Sequence, residues 1–459
     1  MTRVLLIAMA LAAFPLNSRG EEAVVHLTVR PMPAPKPVLK YQLLPELREL
    51  NPGNAAQNYL KCFMEQRYFF FTKGPAAERA RYQTMPLAEL PVDKLLHYGG
   101  PALKQADWAA RLDGVDWQTL ERIQNGGTAP LPDELGPLQD LAAALQVRFR
   151  AEVAGRHFDE ALGTAKTMFA LARHLGEHPT EVANLVGLWV AHLSLGTLEE
   201  MVQQPGCPNL YWALTDLPCP LVDLRKGVQG DRTLVAADLR LLHDDTPMTE
   251  PEIEAFVSHL SGVIGFAREQ SGRPPRNVRV RLHARVKDPE RVRAARQRLV
   301  EAGYVPDLVK TFPPTQVILV DEKLDYEVQR DERVKLLALP LCQIDSLVGG
   351  KNEKSDGDGL LADFLPHIIK LRRNQGQLER QIALLRHVEA LRIYAADHDG
   401  KLPARLSDIP VPLPIDPVTG KPFAYAVDGA TAHIRGGSLL HGDVKDPGSN
   451  VLYEVTLPK

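Results

Sequence analysis

Residues 173–180, RHLGEHPT, carry the spacing of a known zinc-protease motif. In an H-x-x-E-H site, two imidazoles bind zinc from one face of a continuous helix, and the glutamate polarises the zinc-bound water. His174, Glu177 and His178 match those letters. A third ligand would have to come from elsewhere in the chain, and the candidates are Glu250, Glu252 and Glu254.

The residues around the motif argue against a zinc site. Gly176 interrupts the motif and Pro179 follows it directly. Because a proline pushes the preceding residue out of the α region, we expect the helix to end before His178, with the two rings pointing in different directions. A histidine at a helix C-terminus is also favoured by the helix dipole. We therefore predict a helix end here, and a zinc-dependent hydrolase is the alternative hypothesis.

Other motifs for metal or nucleotide binding are incomplete. Residues 355–359 (SDGDG) and 397–400 (DHDG) resemble part of an EF-hand loop, but neither alignment places carboxylates at both ends of the loop. The stretch GGKNEKS at 349–355 lacks the glycine spacing of a P-loop. The sequence therefore predicts no catalytic residue, no cofactor and no metal site.

A basic stretch runs from Arg273 to Arg298, with ten Lys and Arg residues against Asp288 and Glu290. It could contact an anionic polymer or a membrane surface. No aromatic residues interleave with the basic ones, so a solvated charged face is the favoured interpretation. With a net charge of −3 for the whole chain, no nucleic-acid partner is expected.

The segment 207–220 contains two cysteines and two aromatic residues among prolines. An oxidising compartment would permit a Cys207–Cys219 disulfide, although isolated buried thiols, including Cys62 and Cys342, are favoured. Tyr211 and Trp212 could form a ligand platform. We predict instead that they fill the core beneath this turn.

The N-terminus has the layout of a secretory signal. Arg3 precedes an apolar run at 4–14, and Ser18 and Gly20 are the small residues before a plausible cut. We predict that residues 1–20 are a cleaved signal peptide, leaving a periplasmic or secreted protein with no transmembrane helix. The alternative is an uncleaved N-terminal anchor, although the apolar run is short for a membrane span.

The composition predicts a mostly α-helical globular protein. The chain is 44% hydrophobic and 24% charged, which is ordinary for a folded protein, while its 6% aromatic content favours helices over a β-sandwich. Residues 21–40 read as an extended Pro-rich linker. Residues 41–348 form the helical region, which divides into possible subdomains at 41–225 and 226–348.

Three apolar stripes with helical spacing predict antiparallel helical hairpins. Gly155, Phe158 and Pro179 lie at offsets that resemble a tetratricopeptide repeat, but no second copy follows, so we predict TPR-like packing without an array. The stripes are Leu138, Leu141, Leu145, Phe149 and Val153, then Phe158, Ala161, Ala165, Met168, Ala172 and Leu175, then Val182, Leu185, Trp189 and Leu193.

The second part of the helical region contains one ambiguous element. Residues 277–287 alternate apolar and basic side chains as a strand does, yet their apolar positions also fit a helix. Asp288-Pro289-Glu290 predicts the start of a helix that runs to Gly303. The polar, Gly-rich residues 349–359 are the clearest linker in the chain.

Residues 360–459 predict a small α+β module that folds on its own. A long amphipathic helix from about Gln377 to Asp397 should place Leu385 and its apolar neighbours on an antiparallel sheet. Asp428-Gly429 predicts a two-residue hairpin turn in which both residues take positive φ. A further strand is expected at 451–457. The expected contacts join Ile382, Leu385, Val388 and Leu391 of the helix to Phe423, Tyr425 and Val427 of the sheet.

This module resembles the globular part of type II secretion major pseudopilins. The matching stretches are ALRIYAADHDGKLPARLSDI at 390–409 and DPVTGKPFAY at 416–425. Pseudopilins join this helix directly to an N-terminal membrane segment, whereas most of the present chain intervenes, so the resemblance implies the fold alone. It also suggests a calcium loop before the last strand, for which Asp443, Asp446 and Asn450 would supply ligands.

The remainder of the mature chain resembles a family of uncharacterised exported proteins of planctomycete-type bacteria. The matching stretches include LKYQLLPELRELNPGNAAQNYL at 39–60 and QQPGCPNLYWALTDLPCPLVDLR at 203–225. This resemblance implies export and helical architecture, and it brings no activity.

Together these observations favour a non-enzymatic exported scaffold or protein-interaction protein of the cell envelope, with an unknown envelope protein as partner. Two alternatives remain. One is the zinc-dependent hydrolase centred on His174, Glu177 and His178. The other is an envelope or secretion-assembly component related to pseudopilins, which the C-terminal module motivates.

Overall fold

The computed structural model describes residues 23–127, 134–270, 272–348, 359–437 and 451–458. It is 62% helix and 7% strand, with a small C-terminal sheet packed with a helix, which confirms the predicted fold class. The strands are β1 (Ala23–Thr28), β2 (Asn51–Asn54), β3 (Leu112–Gly114), β4 (Ala424–Asp428), β5 (Thr431–Arg435) and β6 (Val451–Thr456). The helices are α1 (Ala55–Glu65), α2 (Arg67–Phe71), α3 (Lys73–Thr84), α4 (Val92–Leu95), α5 (Gly100–Ala109), α6 (Leu120–Gly126), α7 (Leu135–Ala154), α8 (Phe158–Gly176), α9 (Glu181–Val202), α10 (Tyr211–Thr215), α11 (Arg225–Leu239), α12 (Glu250–Gln270), α13 (Val278–Val286), α14 (Pro289–Glu301), α15 (Pro306–Thr311), α16 (Pro314–Val334), α17 (Leu341–Val348) and α18 (Ile368–Ala396).

Helices α7, α8 and α9 form the predicted hairpins. Short connections join them, and the side chain of Thr180 caps α9 by accepting a hydrogen bond from the Ala183 N–H. Gly187 allows α8 and α9 to approach closely, because a Cβ at this position would lie 2.8 Å from the Ala172 carbonyl oxygen. The predicted stripe of α7 is buried throughout: Leu138, Leu141, Leu145, Phe149 and Val153 are all 0% exposed.

The buried face of α9 differs from the predicted one. Val182 is 38% exposed, while Leu185, Trp189 and Leu193 are only partly buried. The helix is apolar around most of its circumference and packs against α8, α7 and α18, so a single stripe does not describe its core face. In the described part of the chain, it is also the one helix long and apolar enough to cross a membrane, and most of it is buried within the protein. Its fully buried side chains include Ala183, Val190, Ala191, Leu195 and Leu198.

Capping side chains define the starts of three helices. Asn54 caps α1, and its side chain accepts from the Ala56 N–H at 3.1 Å. The ambiguous residues 277–287 form a helix, α13, capped by Asn277. The helix predicted at Asp288 does begin there, with the Asp288 carboxylate accepting from the N–H groups of Glu290 and Arg291.

The C-terminal sheet has the order β1-β6-β5-β4. Strands β4, β5 and β6 are antiparallel neighbours, whereas β1 pairs with β6 in parallel, from Ala23 opposite Val451 to Thr28 opposite Thr456. Part of the segment predicted as a linker, 21–40, therefore forms an edge strand of this sheet. Thr28 also donates its backbone N–H to the Gln203 side chain, which fixes β1 to the end of α9.

The face of the sheet that enters the core lies mainly on β5 and β6. Ala432, Ile434 and Val455 are 0% exposed, whereas Val427 on β4 is 40% exposed. The expected contact at Val427 is therefore wrong, because β4 is an edge strand. The expected contact at Phe423 is confirmed, since its side chain is 5% exposed and its ring centroid lies 4.9 Å from that of His387 on α18. The helix side of the prediction agrees better with the structure, since Leu385, Val388 and Leu391 of α18 are fully buried.

The hairpin between β4 and β5 turns one residue later than expected. Asp428 still pairs with Thr431, so the two loop residues are Gly429 and Ala430. Gly429 has φ +59°, and Asp428 does not share the left-handed conformation. A glycine at the first loop position is the signature of a type II′ turn, whereas the expected type I′ turn needs positive φ at both positions.

Two buried ion pairs fix α18 to the rest of the fold. Arg380 binds Asp416 through two hydrogen bonds of 2.9 and 2.8 Å, and the Asp416 carboxylate also accepts from the Val418 N–H and the Thr419 hydroxyl. The motif DPVTGKP is therefore a turn organised around a carboxylate with 0% exposure. The second pair joins Arg392 to Glu389 at 2.8 Å.

Two large hydrophobic clusters divide the described residues. The first combines side chains between Leu27 and Val228 with others between Leu336 and Leu457, so the hairpins and the C-terminal module share one core. The second contains side chains between Val235 and Leu365. The change from one cluster to the other falls within α11. The predicted linker at 349–359 lies outside the described residues except for Gly359.

Candidate functional site

His174 and His178 do not lie on one helical face. Helix α8 ends at Gly176, and Glu177 and His178 follow in a turn closed by N–H bonds to His174 and Leu175. The side chain of Glu177 is 49% exposed and pairs with Lys226 at 3.2 Å. The helix therefore ends where the sequence predicts.

Both imidazoles are occupied by neighbouring protein groups. His174 Nδ1 lies 3.0 Å from the Tyr59 hydroxyl, and burial, aided by Arg173, lowers the pKa of His174 to about 4. His178 uses both ring nitrogens, with Nδ1 at 2.9 Å from the Thr180 hydroxyl and Nε2 at 3.4 Å from a Glu134 carboxylate oxygen. Because a zinc ligand needs a free nitrogen lone pair, this arrangement favours structural roles for the two histidines.

The three glutamates considered as a third ligand lie on α12, and two of them serve other contacts. Glu252 accepts from the Thr249 N–H at 2.7 Å, as a helix-capping residue does, and Glu254 pairs with Arg279. Within the residues that the structure describes, no group of three His, Cys, Asp or Glu side chains could hold a metal ion.

Other residues with possible chemical roles are used within the fold. All four cysteines are free, so Cys207 and Cys219 are not bridged, and burial raises the pKa of the Cys207 thiol to about 12. Tyr211 is 0% exposed and stacks edge-on against Trp212, as predicted for a core position. Asp399 and Gly400 have positive φ and terminate α18 in a turn. The suggested calcium ligands Asp443, Asp446 and Asn450, and residues 355–358, lie outside the described residues.

The basic stretch is largely neutralised by buried acids, which the sequence did not reveal. Asp363, whose side chain is 2% exposed, receives Arg268 at 2.7 Å, Arg273 at 3.5 Å and Arg276 at 3.1 Å. Arg285 pairs in the same way with Glu322 inside the second cluster. These arginines therefore connect α12 and the following loop to the chain beyond the 349–359 linker.

A buried polar chain links α9, α18 and β6. His192 Nδ1 lies 2.8 Å from the Gln381 side-chain oxygen, and the Gln381 amide donates to Glu199 at 2.8 Å. Tyr453 donates its hydroxyl to the same Glu199 carboxyl. Burial raises the pKa of Glu199 and lowers that of His192. These hydrogen bonds satisfy the buried polar groups of three elements, so the residues have a role in packing.

A cleft of about 340 Å³ lies between α11 and α16. Leu239 and Leu242 form its apolar wall, and charged side chains of both signs line the remainder. Lys323 and Asp244 pair across it at 2.6 Å. The Arg330 guanidinium lies 5.6 Å from the centre of the Tyr326 ring, and burial raises the pKa of Tyr326 to about 12. Its volume is at the lower end of small-ligand sites.

A second surface feature is apolar and convex. Met64 at the end of α1 and Tyr68 in α2 are each 75% exposed, and Phe71 is 36% exposed. We call these three residues the α1–α2 apolar surface. Phe71 lies beside Phe63, with ring centroids 6.1 Å apart, so the exposed side chains sit on a buried aromatic cluster.

Comparison with known proteins finds no relative of this chain. No protein-family model matches the chain, and neither does any curated protein or solved structure. The resemblances to pseudopilins and to planctomycete exported proteins therefore stay predictions.

Proposed function

We propose that the chain is a non-enzymatic scaffold or protein-interaction protein of the cell envelope. The observation that carries this proposal is the α1–α2 apolar surface. Exposed aromatic and methionine side chains are enriched at the centres of protein interfaces, and methionine adapts its shape to a partner. Met64 and Tyr68, each 75% exposed, lie on either side of Gln66, one at the end of α1 and the other in α2, and they would serve as anchors for a partner protein.

The backbone beneath this surface is held firmly. Arg79, 2% exposed, donates to the carbonyl oxygens of Phe69 at 2.9 Å and Phe70 at 3.3 Å. Phe70 also packs edge-on against Phe63, with centroids 4.8 Å apart. A surface that is rigid before binding loses less conformational entropy on association, which supports a role in recognition.

Export to the periplasm or the exterior is part of the proposal and rests on the N-terminal sequence, Arg3 and the apolar run 4–14. Mass spectrometry of the native protein tests it. A mature chain that begins near Glu21 is expected, and an intact Met1 on membrane-bound material would show an uncleaved anchor instead.

The proposed binding of a partner protein can be tested by replacing Tyr68 with a photo-crosslinking amino acid in the cells that produce the protein. We expect a discrete crosslinked protein that Met64→Ser abolishes. The matched control places the same crosslinker at Val280, which is 62% exposed on α13, and should give no such product. If the Tyr68 and Val280 positions give the same products, the α1–α2 apolar surface does not bind a specific partner.

Metal analysis of the purified full-length protein distinguishes the zinc-hydrolase alternative from our proposal. Our proposal predicts no bound zinc. Stoichiometric zinc that disappears in both His174→Ala and His178→Ala would contradict it.

A second candidate role, an envelope or secretion-assembly component, is favoured by the packing of α18 on a small antiparallel sheet. Among the described residues β4 pairs with β5 alone, so its outer edge is a surface of that module on which a further strand could pair. Val427→Pro on β4 should then release envelope partners, with Gly74→Pro on α3 as a fold control. Partners retained by the Val427 variant would exclude this edge.

A further inference from the structure

We propose that the cleft between α11 and α16 binds a small zwitterionic ligand of the dipeptide class. Its carboxylate would bind Arg330 and Arg240, and its ammonium group would bind Glu327. This inference is independent of the proposed scaffold role, which rests on a different surface.

The lining of the cleft balances positive and negative groups. Arg240, Lys323 and Arg330 face Asp244, Asp245 and Glu327. Lys323 and Asp244 already neutralise each other at 2.6 Å. Such a lining attracts neither a simple anion nor a simple cation strongly, and it matches a ligand that is neutral overall but carries separated charges.

The positive end is built around a buried arginine. Arg330 is 7% exposed, yet its ion-pair partner at 2.9 Å is the Asp331 side chain, which is 57% exposed. A guanidinium carries five N–H donors, more than Asp331 and the Tyr326 ring use. The side chain of Arg240, which is exposed at the rim, makes no hydrogen bond or ion pair to a described residue. A ligand carboxylate can therefore bind Arg330 and be closed in by Arg240.

The negative end is Glu327. Its carboxylate is partly buried in the cleft and has no hydrogen bond or ion pair to a described residue. Burial raises the pKa of Tyr304 and of Tyr326, and the negative charge of Glu327 adds to both shifts. The charge of Glu327 also acts on Arg330, and a ligand ammonium group would add the direct hydrogen-bonded ion pair that this carboxylate does not make with a described residue.

The spacing of the two ends selects the ligand. Glu327 and Arg330 are three residues apart on α16, which puts their Cβ atoms roughly 5–6 Å apart on one helix face. In an extended dipeptide the Cα atoms are about 3.8 Å apart and the terminal charges lie beyond them, so the ends of these two side chains can reach both charges of such a ligand. A cleft of about 340 Å³ has room for two small residues.

The experiment is isothermal titration of the full-length protein with three probes: dialanine, N-acetyl-dialanine and dialanine amide. We expect dialanine to bind, and each capped form, which lacks one charge, to bind at least tenfold more weakly. Glu327→Gln should weaken dialanine binding at least tenfold and leave the affinity for N-acetyl-dialanine unchanged. Arg240→Gln should weaken dialanine and N-acetyl-dialanine but not dialanine amide.

The matched control is Arg293→Gln, which removes an arginine whose side chain is 73% exposed on α14 and should leave all three affinities unchanged. Thermal melting of every variant verifies that the fold is intact. The proposal is overturned if dialanine fails to bind, if the three probes bind equally, or if N-acetyl-dialanine binds more tightly than dialanine. It is also overturned if Glu327→Gln binds dialanine as the natural chain does.

Discussion

Glu389 and Arg392 form an ion pair within one turn of α18 with both side chains enclosed in the core, at 0% and 1% exposure. Backbone groups from distant segments complete the pair. Arg392 donates to the carbonyl oxygens of Arg30, Cys207 and Pro208, and Glu389 accepts from the Leu210 N–H. This pair therefore holds the segment after β1 and the segment after α9 against the same helix.

Removing one partner of this pair should be strongly destabilising. We expect Arg392→Ala to lower the free energy of unfolding by about 3–5 kcal/mol, because Glu389 is left buried without its cation. The matched control is Arg405→Ala, which breaks an ion pair of the same i,i+3 spacing whose arginine is 80% exposed, and should cost less than about 1 kcal/mol. Urea denaturation measures both. Equal losses would mean that Arg392 contributes no more than a surface ion pair.

His174 should make the protein less stable in acid. Burial lowers its pKa from 6.5 to about 4, so the folded chain binds a proton less readily than the unfolded chain. The contribution of the neutral imidazole is complete above pH 6.5 and is lost as the pH falls to 4, by about 3 kcal/mol. Between these pH values, His174→Gln should flatten the pH dependence of unfolding. The exposed His283→Gln is the control, and a slope unchanged in His174→Gln would contradict this assignment.

Glu152 should act with the opposite sign. Burial raises its pKa from 4.5 to about 7, although Arg148 and the Thr164 hydroxyl oppose the shift. The folded state holds the carboxyl protonated, so this group's contribution is complete below pH 4.5 and is lost as the pH rises to 7, on the order of 3 kcal/mol. Glu152→Gln should match the natural chain near pH 4 and exceed its stability at pH 8. The test is urea denaturation at both pH values, with the exposed Glu160→Gln as control.

Gly429 is required by the turn between β4 and β5. Its φ of +59° is unfavourable for a β-branched residue, so Gly429→Val should cost about 1–3 kcal/mol of unfolding free energy. No atom lies within 4 Å of the position that a Cβ would take, which isolates the backbone effect from crowding. Gly429→Asn is the control and should cost less, because asparagine tolerates positive φ. Indistinguishable melting curves for the two variants would refute the backbone explanation.

An isolated fragment of residues 360–459 should lack a cooperative unfolding transition, although the sequence alone favours independent folding. The fragment omits β1, which pairs with β6, and it uncovers the face of α18 that packs on α9 and α10. Exposure of a shared core removes much of its hydrophobic stabilisation. Circular dichroism during urea denaturation decides the point. A sharp transition in the fragment, comparable with that of the full chain, would restore the sequence-based domain boundary.

Local patterns in the sequence predict much of this fold. The helical spacing of Leu138, Leu141 and Leu145 identifies a face that is fully buried, and Pro179 correctly indicates the end of α8. Both features are determined by residues close together in the sequence, so they can be predicted from the local sequence pattern. The same reasoning fails for α9, which is apolar on nearly every side and packs against helices on more than one face.

The cleft and the ion-pair networks could not be predicted in this way. Asp363 gathers three arginines from a segment about ninety positions earlier, and Glu327 meets the cleft only because α16 folds against α11. A single charged residue does not indicate which distant residue it will pair with. Apolar periodicity, in contrast, repeats along the chain and predicts a buried face. The one sequence pattern with catalytic spacing, at His174 and His178, is instead part of a helix end.

The parallel pairing of β1 with β6 places a constraint on the order of assembly. Ala23 lies opposite Val451, a separation of 428 positions, so β1 cannot find its partner until nearly all of the chain between them has been made. Contacts this distant in sequence carry a large loop-closure entropy and form late. During vectorial synthesis or passage through a membrane, the hairpins α7 to α9 can form early. The four-stranded sheet can be completed only at the end. The chain therefore leaves the narrow exit of a ribosome or translocon before its sheet and its shared core have formed.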